Sequence, residues 1–174
     1  MSTRITVVCL GNICRSPIAE AVLRDRLERA GLGQEVLVDS AGTGDWHTGH
    51  PADARARATL EAHGYVLDHR ARQIDPSWLA GTDLLLAMDA ANYADLLAMR
   101  EQAGTHTPVH MLRSYDPALA GTAEPGPALE VPDPYYGSSD GFIEVLRMIE
   151  QAADGLVARL RTGHIEPAGS TVLS

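Results

Sequence analysis

The 174 residues carry 14 basic side chains against 23 acidic ones, for a formal charge of −9. Every basic residue is Arg, so neither a Schiff-base lysine nor the phosphate-gripping Lys of a G-x-x-x-x-G-K-[ST] loop is available. The acidic balance, with no basic run, argues against a nucleic-acid or anionic-membrane surface, and 45% apolar residues suffice for the core of one domain.

Taken in chain order, residues 4–9 (R-I-T-V-V-C) form a β-branched run without polar alternation, which predicts a central strand buried on both faces. After a glycine-bearing turn, Ser16 is placed to cap a helix and Pro17 to open it. Ile18, Val22, Leu23 and Leu27 then recur at helical spacing up to a stop at Gly31. A second strand is predicted over 35–39 and a second helix over 52–63, ending at Gly64. A third strand covers 83–88, with Asp89 set to cap a helix through about Ala103. A short strand over 109–112 and a long helix over 140–160 complete the pattern. Strands alternating with helices imply right-handed crossovers, hence an α/β fold with a four-stranded, mostly parallel sheet and helices on both faces. Chemistry is then expected at the carboxyl ends of the strands. Residues 114–137 hold five prolines and little periodicity, the mark of a functional loop. One domain is expected to span 1–162, with a disordered tail over 163–174.

The two cysteines, Cys9 and Cys14, are five residues apart, which excludes a disulfide scaffold. The first twenty residues lack a signal-peptide pattern and no stretch approaches the ~20 apolar residues of a membrane span. The expectation is a cytoplasmic protein whose close cysteine pair is catalytic or metal-binding.

The turn after the first strand reads Cys9-Leu10-Gly11-Asn12-Ile13-Cys14-Arg15-Ser16-Pro17. Between a strand's carboxyl end and a helix's amino end, successive backbone N–H groups make an anion cradle, to which the helix dipole adds. Gly11 permits backbone conformations closed to other residues. Arg15 can grip two phosphate oxygens bidentately. Cys9, at the base of this positive field, is expected to act as a thiolate nucleophile, and Ser16 to donate its hydroxyl to the sulfur as it leaves. The plainer alternative is an ordinary strand-to-helix turn with a buried inert cysteine.

The string C-L-G-N-I-C-R-S-P resembles the phosphate loop of the low-molecular-weight protein tyrosine phosphatases. The resemblance extends over about residues 4–160 through D-S-A-G-T from Asp39, Trp46 with Gly49, His69 with Arg72-Gln73-Ile74, Met88-Asp89, and D-P-Y-Y-G from Asp133. It implies a phosphomonoesterase with no metal and no cofactor, working through a phosphocysteine at Cys9. Asp133 would protonate the leaving phenolate and later activate water, and residues 10–16 would bind phosphate. Chemistry asks for the same part, since the phosphate loop offers no side chain suited to protonate a leaving group and Pro132 and Pro134 stiffen the Asp133 loop. By residue chemistry alone Asp133-Pro134 reads equally as a turn initiator, like Asp116-Pro117; the resemblance, with Tyr135 and Tyr136 following, selects Asp133 over Asp116 as the acid.

Trp46, Tyr135 and Tyr136 are three of eight aromatic residues, and all are predicted in loops. With Ile13 they are expected to wall a deep anion site and favour a phenyl ring over phosphoserine. The resemblance also suggests that the tyrosines could be kinase targets. Asn12, Ser40 and His69 resemble a set that hydrogen-bonds the phosphate loop into shape, with His69 supporting and not the acid. A metal site is not expected. Pro108 breaks the spacing of His106 and His110, and Gly49 and Pro51 leave His47 and His50 without a regular element.

Three competing readings fail on particular residues. An arsenate reductase of similar loop needs downstream cysteines, and none follows Cys14. An arginine phosphatase on this fold is expected to carry Thr where Ile13 stands. A dead phosphotyrosine-binding module requires loss of the nucleophile or the acid, and both are present. The expected partners are phosphotyrosine proteins, with a cognate tyrosine kinase among them, acting on a monomer. Cys14 is expected to lie within disulfide reach of Cys9, at Cα separations of about 4.4–6.8 Å, and so to guard it against over-oxidation.

Overall fold

The computed structural model describes residues 2–170. The apolar run at the start forms β1 (Thr3–Cys9), whose Ile5, Val7 and Val8 are wholly buried. It lies inside a four-stranded sheet with β2 (Val36–Gly42), β3 (Leu84–Ala87) and β4 (Val109–Met111), in the order β2-β1-β3-β4. All three pairings are parallel, and their register sets Cys9 beside Gly42 and Val8 beside Ala87. Because side chains alternate along a strand, Ile5, Val7, Leu84 and Leu86 enter one core while Val8, Leu85 and Ala87 enter the other. The first core is closed by α1 (Arg15–Arg29), α2 (Ala54–Ala62) and α4 (Ser139–Arg161). The second is closed by α3 (Ala90–Ala103) and by an unforeseen 3₁₀ turn at Pro76–Gly81 that buries Leu79. Helices thus cover both faces, as the alternating pattern implies.

Each helix begins or ends for a local reason. Asp89 caps α3, its Oδ1 accepting from Asn92 N at 2.8 Å, and Asp53 caps α2 by accepting from Arg55 N. The chain leaves α1 through left-handed Gly31. Ser16, however, is not the cap of α1. Cys14 holds that position and Ser16 lies inside the first turn, where its hydroxyl turns toward the Cys9 sulfur instead of the helix backbone. The long helix α4 rests on α1, with Phe142, Leu146, Ile149 and Leu156 in the shared core and Arg26 bridging to Glu150 and Asp154. None of the described helices is long and apolar enough to cross a membrane.

The proline-rich segment after β4 is broken into 3₁₀ turns at Leu112–Tyr115, Pro117–Leu119 and Pro127–Leu129. Asp116 starts one of them, its carboxylate accepting from Ala118 N at 2.9 Å. The expectation of a disordered tail is corrected over residues 163–170, which fold back on the domain. Tyr115 donates its hydroxyl to Ile165 O, Arg159 Nε donates to Glu166 O at 2.8 Å, and Ile165 packs on the first core. The remainder of that tail, residues 171–174, lies outside the described residues.

Candidate active site

The loop between β1 and α1 leaves the sheet beside the end of β2. A side chain at Gly42 would bring its Cβ to 2.7 Å from Leu10 O, so the close approach of the two segments requires glycine there. Within the loop Asn12 takes φ = 57°, a left-handed conformation that Asn tolerates better than most residues. The turn tips backbone N–H groups inward, and Asn12 N donates to Cys9 Sγ at 3.3 Å.

Asn12 also organises what lies behind the loop. Its side-chain amide donates to Ser16 Oγ at 2.8 Å and to Ser40 Oγ at 3.0 Å. Each hydroxyl, having accepted, has its own proton to direct onward. Ser40 donates to Glu20 Oε1 at 2.9 Å, and Ser16 Oγ sits 3.0 Å from Cys9 Sγ, placed to donate to the sulfur. Asn12 Oδ1 accepts from Arg72 N at 2.9 Å, and its carbonyl accepts from His69 Nε2 at 2.7 Å, which fixes the tautomer with the proton on Nε2. Asn12, Ser16, Ser40 and His69 therefore do meet, but behind the phosphate loop, and their side chains do not line the cleft in front of it.

Arg15 is nearly inaccessible and reaches the opposite wall. Its Nη1 donates to Asp89 Oδ2 at 2.7 Å and to Val131 O at 3.0 Å, while Nη2 lies 3.6 Å from Asp133 Oδ2. Burial alone would lower the pKa of this guanidinium. The negative charges of Cys9, Asp89 and Asp133 and the Asp89 hydrogen bond outweigh it and hold the group above its ordinary range. Cys14, by contrast, has its thiol pushed up to about 12, first by burial and then by the nearby charges of Asp53, Cys9 and Asp133. Cys14 therefore stays a protonated thiol at neutral pH. Both cysteines are free thiols.

Asp133 sits on a loop pinned to the end of β3, where Val131 N donates to Met88 O at 2.8 Å and Ala90 N to Glu130 Oε2 at 3.0 Å. Its Oδ1 accepts from Tyr135 N at 3.1 Å, which sets the carboxylate on the cleft side of the turn. The cleft has a volume of about 410 Å³. Cys9, Arg15 and Asp133 lie in it, Leu10, Gly11, Ile13 and Cys14 form its floor, and Trp46, His47, Tyr135 and Tyr136 form its walls. Trp46 and Tyr136 are 67% and 92% exposed, so the walls stand open to an arriving ring. The rings of Tyr135 and Tyr136 meet edge to face at 4.9 Å.

Several partners escape a reading of the sequence. Asp89, legible only as a helix cap, is also the ion-pair partner of Arg15. Glu20 and Arg72 belong to the Asn12 network, and His47 shares a wall with Tyr135 at 6.1 Å. Of these, Asp89 and Arg72 stand in motifs that could show them, the Met88-Asp89 pair at the carboxyl end of β3 and the Arg72-Gln73-Ile74 run. Among the described residues no three His, Cys, Asp or Glu side chains are grouped to hold a metal ion.

The model of the family described as low molecular weight phosphotyrosine protein phosphatase matches residues 4–164. A low molecular weight protein-tyrosine-phosphatase of Streptomyces coelicolor is 54% identical over 164 residues, covering 92% of this chain and 95% of the relative. Low molecular weight protein-tyrosine phosphatase A of Mycobacterium tuberculosis is 51% identical over 152 residues, 87% of this chain and 88% of the relative. A protein tyrosine phosphatase of Entamoeba histolytica, solved with Hepes in its active site, superposes with a TM-score of 0.82 at 36% identity, over 93% of this chain and 99% of that one.

Proposed function

The chain belongs to the low molecular weight phosphotyrosine protein phosphatase family, and from that premise we propose that it hydrolyses phosphotyrosine in proteins through a phosphocysteine at Cys9 without a metal ion. The observation that carries this reading is the meeting of three groups in one cleft: a sulfur served by Asn12 N–H and Ser16 O–H, a buried Arg15, and Asp133 beside that arginine.

The substrate's phosphoryl group enters the loop, whose N–H groups and Arg15 take its equatorial oxygens. Two anchors, Asp89 and Val131 O, hold Arg15 Nη1 and leave Nη2 and Nε to face the phosphate. The Cys9 thiolate attacks phosphorus in line, the P–S bond forms, and the ester P–O bond breaks. Asp133, protonated, gives its proton to the departing phenolate oxygen. Asp133, now a carboxylate, takes a proton from water as that water attacks phosphorus. The P–S bond breaks, Ser16 O–H supports the returning thiolate, and inorganic phosphate leaves. The charge is balanced throughout by Arg15 and the loop amides, which is the part a metal would otherwise play.

Ile13, Trp46 and Tyr135 support an aryl ester over phosphoserine or phosphoarginine, because an apolar, aromatic wall is complementary to a ring. A reducing cytoplasm suits this mechanism, which needs Cys9 as a free thiolate. Initial rates on matched phosphotyrosine, phosphoserine and phosphoarginine peptides, with and without chelator, test the reading. Phosphotyrosine should be hydrolysed alone and at an unchanged rate in chelator. Cys9→Ser should retain phosphate binding and lose turnover, and persistent turnover in that variant sinks the mechanism.

A further inference from the structure

Asp133 lies between two anchorages of unlike kind. Upstream, Val131 is bonded to the sheet through Met88 O and to Arg15. Downstream, the contacts within the loop are local, from Tyr135 N to Asp133 Oδ1 and from Gly137 N to Pro134 O. The tie to the rest of the domain comes from α2. Arg55 Nη2 donates to Tyr135 O at 2.8 Å and Nη1 donates to Gly137 O at 3.1 Å. The same guanidinium is gripped on its other edge by Asp53, with Nε to Oδ1 at 3.1 Å and Nη2 to Oδ2 at 3.1 Å. Asp53 N in turn donates to Ile13 O, on the phosphate loop, at 2.8 Å. An unbroken path therefore runs from Ile13 through Asp53 and Arg55 to Tyr135, and from Tyr135 N to the carboxylate of Asp133.

We propose that Arg55 is a positioning residue of the reaction, a strut that sets the distance between the phosphate loop and the segment bearing the proton donor. The proposal rests on the reading of Asp133 as that donor. A planar fork is needed for the task, because three nitrogens serve one carboxylate and two carbonyls at once, and a Lys ammonium cannot span them. The guanidinium of Arg55 also lies over Phe142, its Cζ 4.7 Å from the ring centroid, and near Tyr135 at 5.7 Å. Loss of the strut lets Tyr135 drift, and Asp133 drifts with it. Displacements on the order of 1 Å at such a site cost up to ~10²-fold in rate.

The test uses Arg55→Met, which keeps an unbranched, flexible stem and removes every donor. We measure kcat/KM, which reports the steps through transfer to Cys9, on aryl phosphates whose leaving groups range from readily departing to as poor as tyrosine. The loss in Arg55→Met should be about 10- to 100-fold for the poor leaving groups and under about threefold for the best. Arg55→Lys should recover only part of it. Inhibition by inorganic phosphate should stay at the wild-type level, since the cradle is untouched. Asp133→Ala, run in parallel, should show the same slope more steeply, and adding Arg55→Met to it should cost nothing further. A flat loss in Arg55→Met beside a steep Asp133→Ala series, or additive losses in the double variant, overturns the strut and leaves Asp133 as the acid. A flat Asp133→Ala series overturns the acid assignment and the strut with it.

Discussion

Replacing Asn12 by Ala should be among the most damaging single changes in the molecule, and the structure says by how much. Arg72 N loses its acceptor in a partly buried place, a cost of about 1 kcal/mol. Ser16 and Ser40 each lose a donated bond but keep Cys9 Sγ and Glu20 as partners, so each contributes only about 0.5–1.5 kcal/mol. At φ = 57° an Ala adds roughly 1–2 kcal/mol of backbone strain. Together these come to about 3–6 kcal/mol, a large share of the ~5–15 kcal/mol that holds a domain folded. For a chain of this size that corresponds to a fall in Tm of roughly 6–24 °C. Asn12→Gly makes the argument sharper. It loses the same hydrogen bonds but relieves the left-handed backbone, so it should be more stable than Asn12→Ala by ~1 kcal/mol, the reverse of the ordinary order of Gly and Ala. Urea unfolding midpoints at constant m, with kcat/KM measured on the same samples, read both effects. An Ala variant as stable as the Gly variant, or a total loss under about 1 kcal/mol, refutes this account of the loop.

Three other outcomes can be checked on the same protein. After treatment with peroxide and then thiol, wild type should recover most of its activity and Cys14→Ser much less. In this reading peroxide oxidises the Cys9 thiolate to a sulfenic acid, Cys14 displaces water to close the disulfide, and the reductant returns both thiols; equal recovery leaves Cys14 as packing. Gly155→Ala should destabilise by about 2 kcal/mol or more, because its Cβ would stand 1.7 Å from the backbone oxygen of Tyr115 and must push α4 away; an unchanged unfolding midpoint contradicts that geometry. Burial alone would raise the Glu124 carboxyl, but donors from His110, Ser114 and Met111 N outweigh it and hold it below its ordinary range. A lowered folded pKa gives stability that is present above the unfolded value of about 4.3 and lost as pH falls through the folded one. Glu124→Gln should therefore cost stability at neutral pH, and the gap from wild type, read by urea unfolding across pH, should close in acid.

What could be read from the sequence was what periodicity and local chemistry encode. The buried run ending on Cys9 and the apolar spacing from Ile18 to Leu27 are consequences of strand and helix geometry, and they placed the loop between them. The two prolines around Asp133 pointed to a stiff loop for the same kind of local reason. Ser16 offers two uses for one hydroxyl, helix cap and donor to the Cys9 sulfur; the sulfur and the Asn12 amide claim it, so the cap goes unmade. Arg15 with Asp89 and Arg55 with Tyr135 join residues 74 and 80 positions apart, and no local pattern announces such a pairing. Residues 163–170, rich in Pro, Gly and polar side chains, carry no periodicity by which to hold a place. One isoleucine on the core and two carbonyls bonded by Tyr115 and Arg159 were enough to do so.

The packing of α4 on α1 sets a timetable for synthesis. About 110 residues separate Arg29 from Ser139, so at roughly 5–20 residues per second the ribosome needs about 5–22 s to deliver the covering helix after the covered one. During that interval Val22, Leu23 and Leu27 have no Phe142 or Ile149 to rest against, and β1 waits for β3 before its second edge is paired. The nucleophile and its cradle are encoded in the first sixteen residues, yet the apolar face behind them is the last to be closed. A nascent chain is thus most exposed to aggregation while it already carries its reactive thiol, and slower synthesis lengthens that exposure in direct proportion.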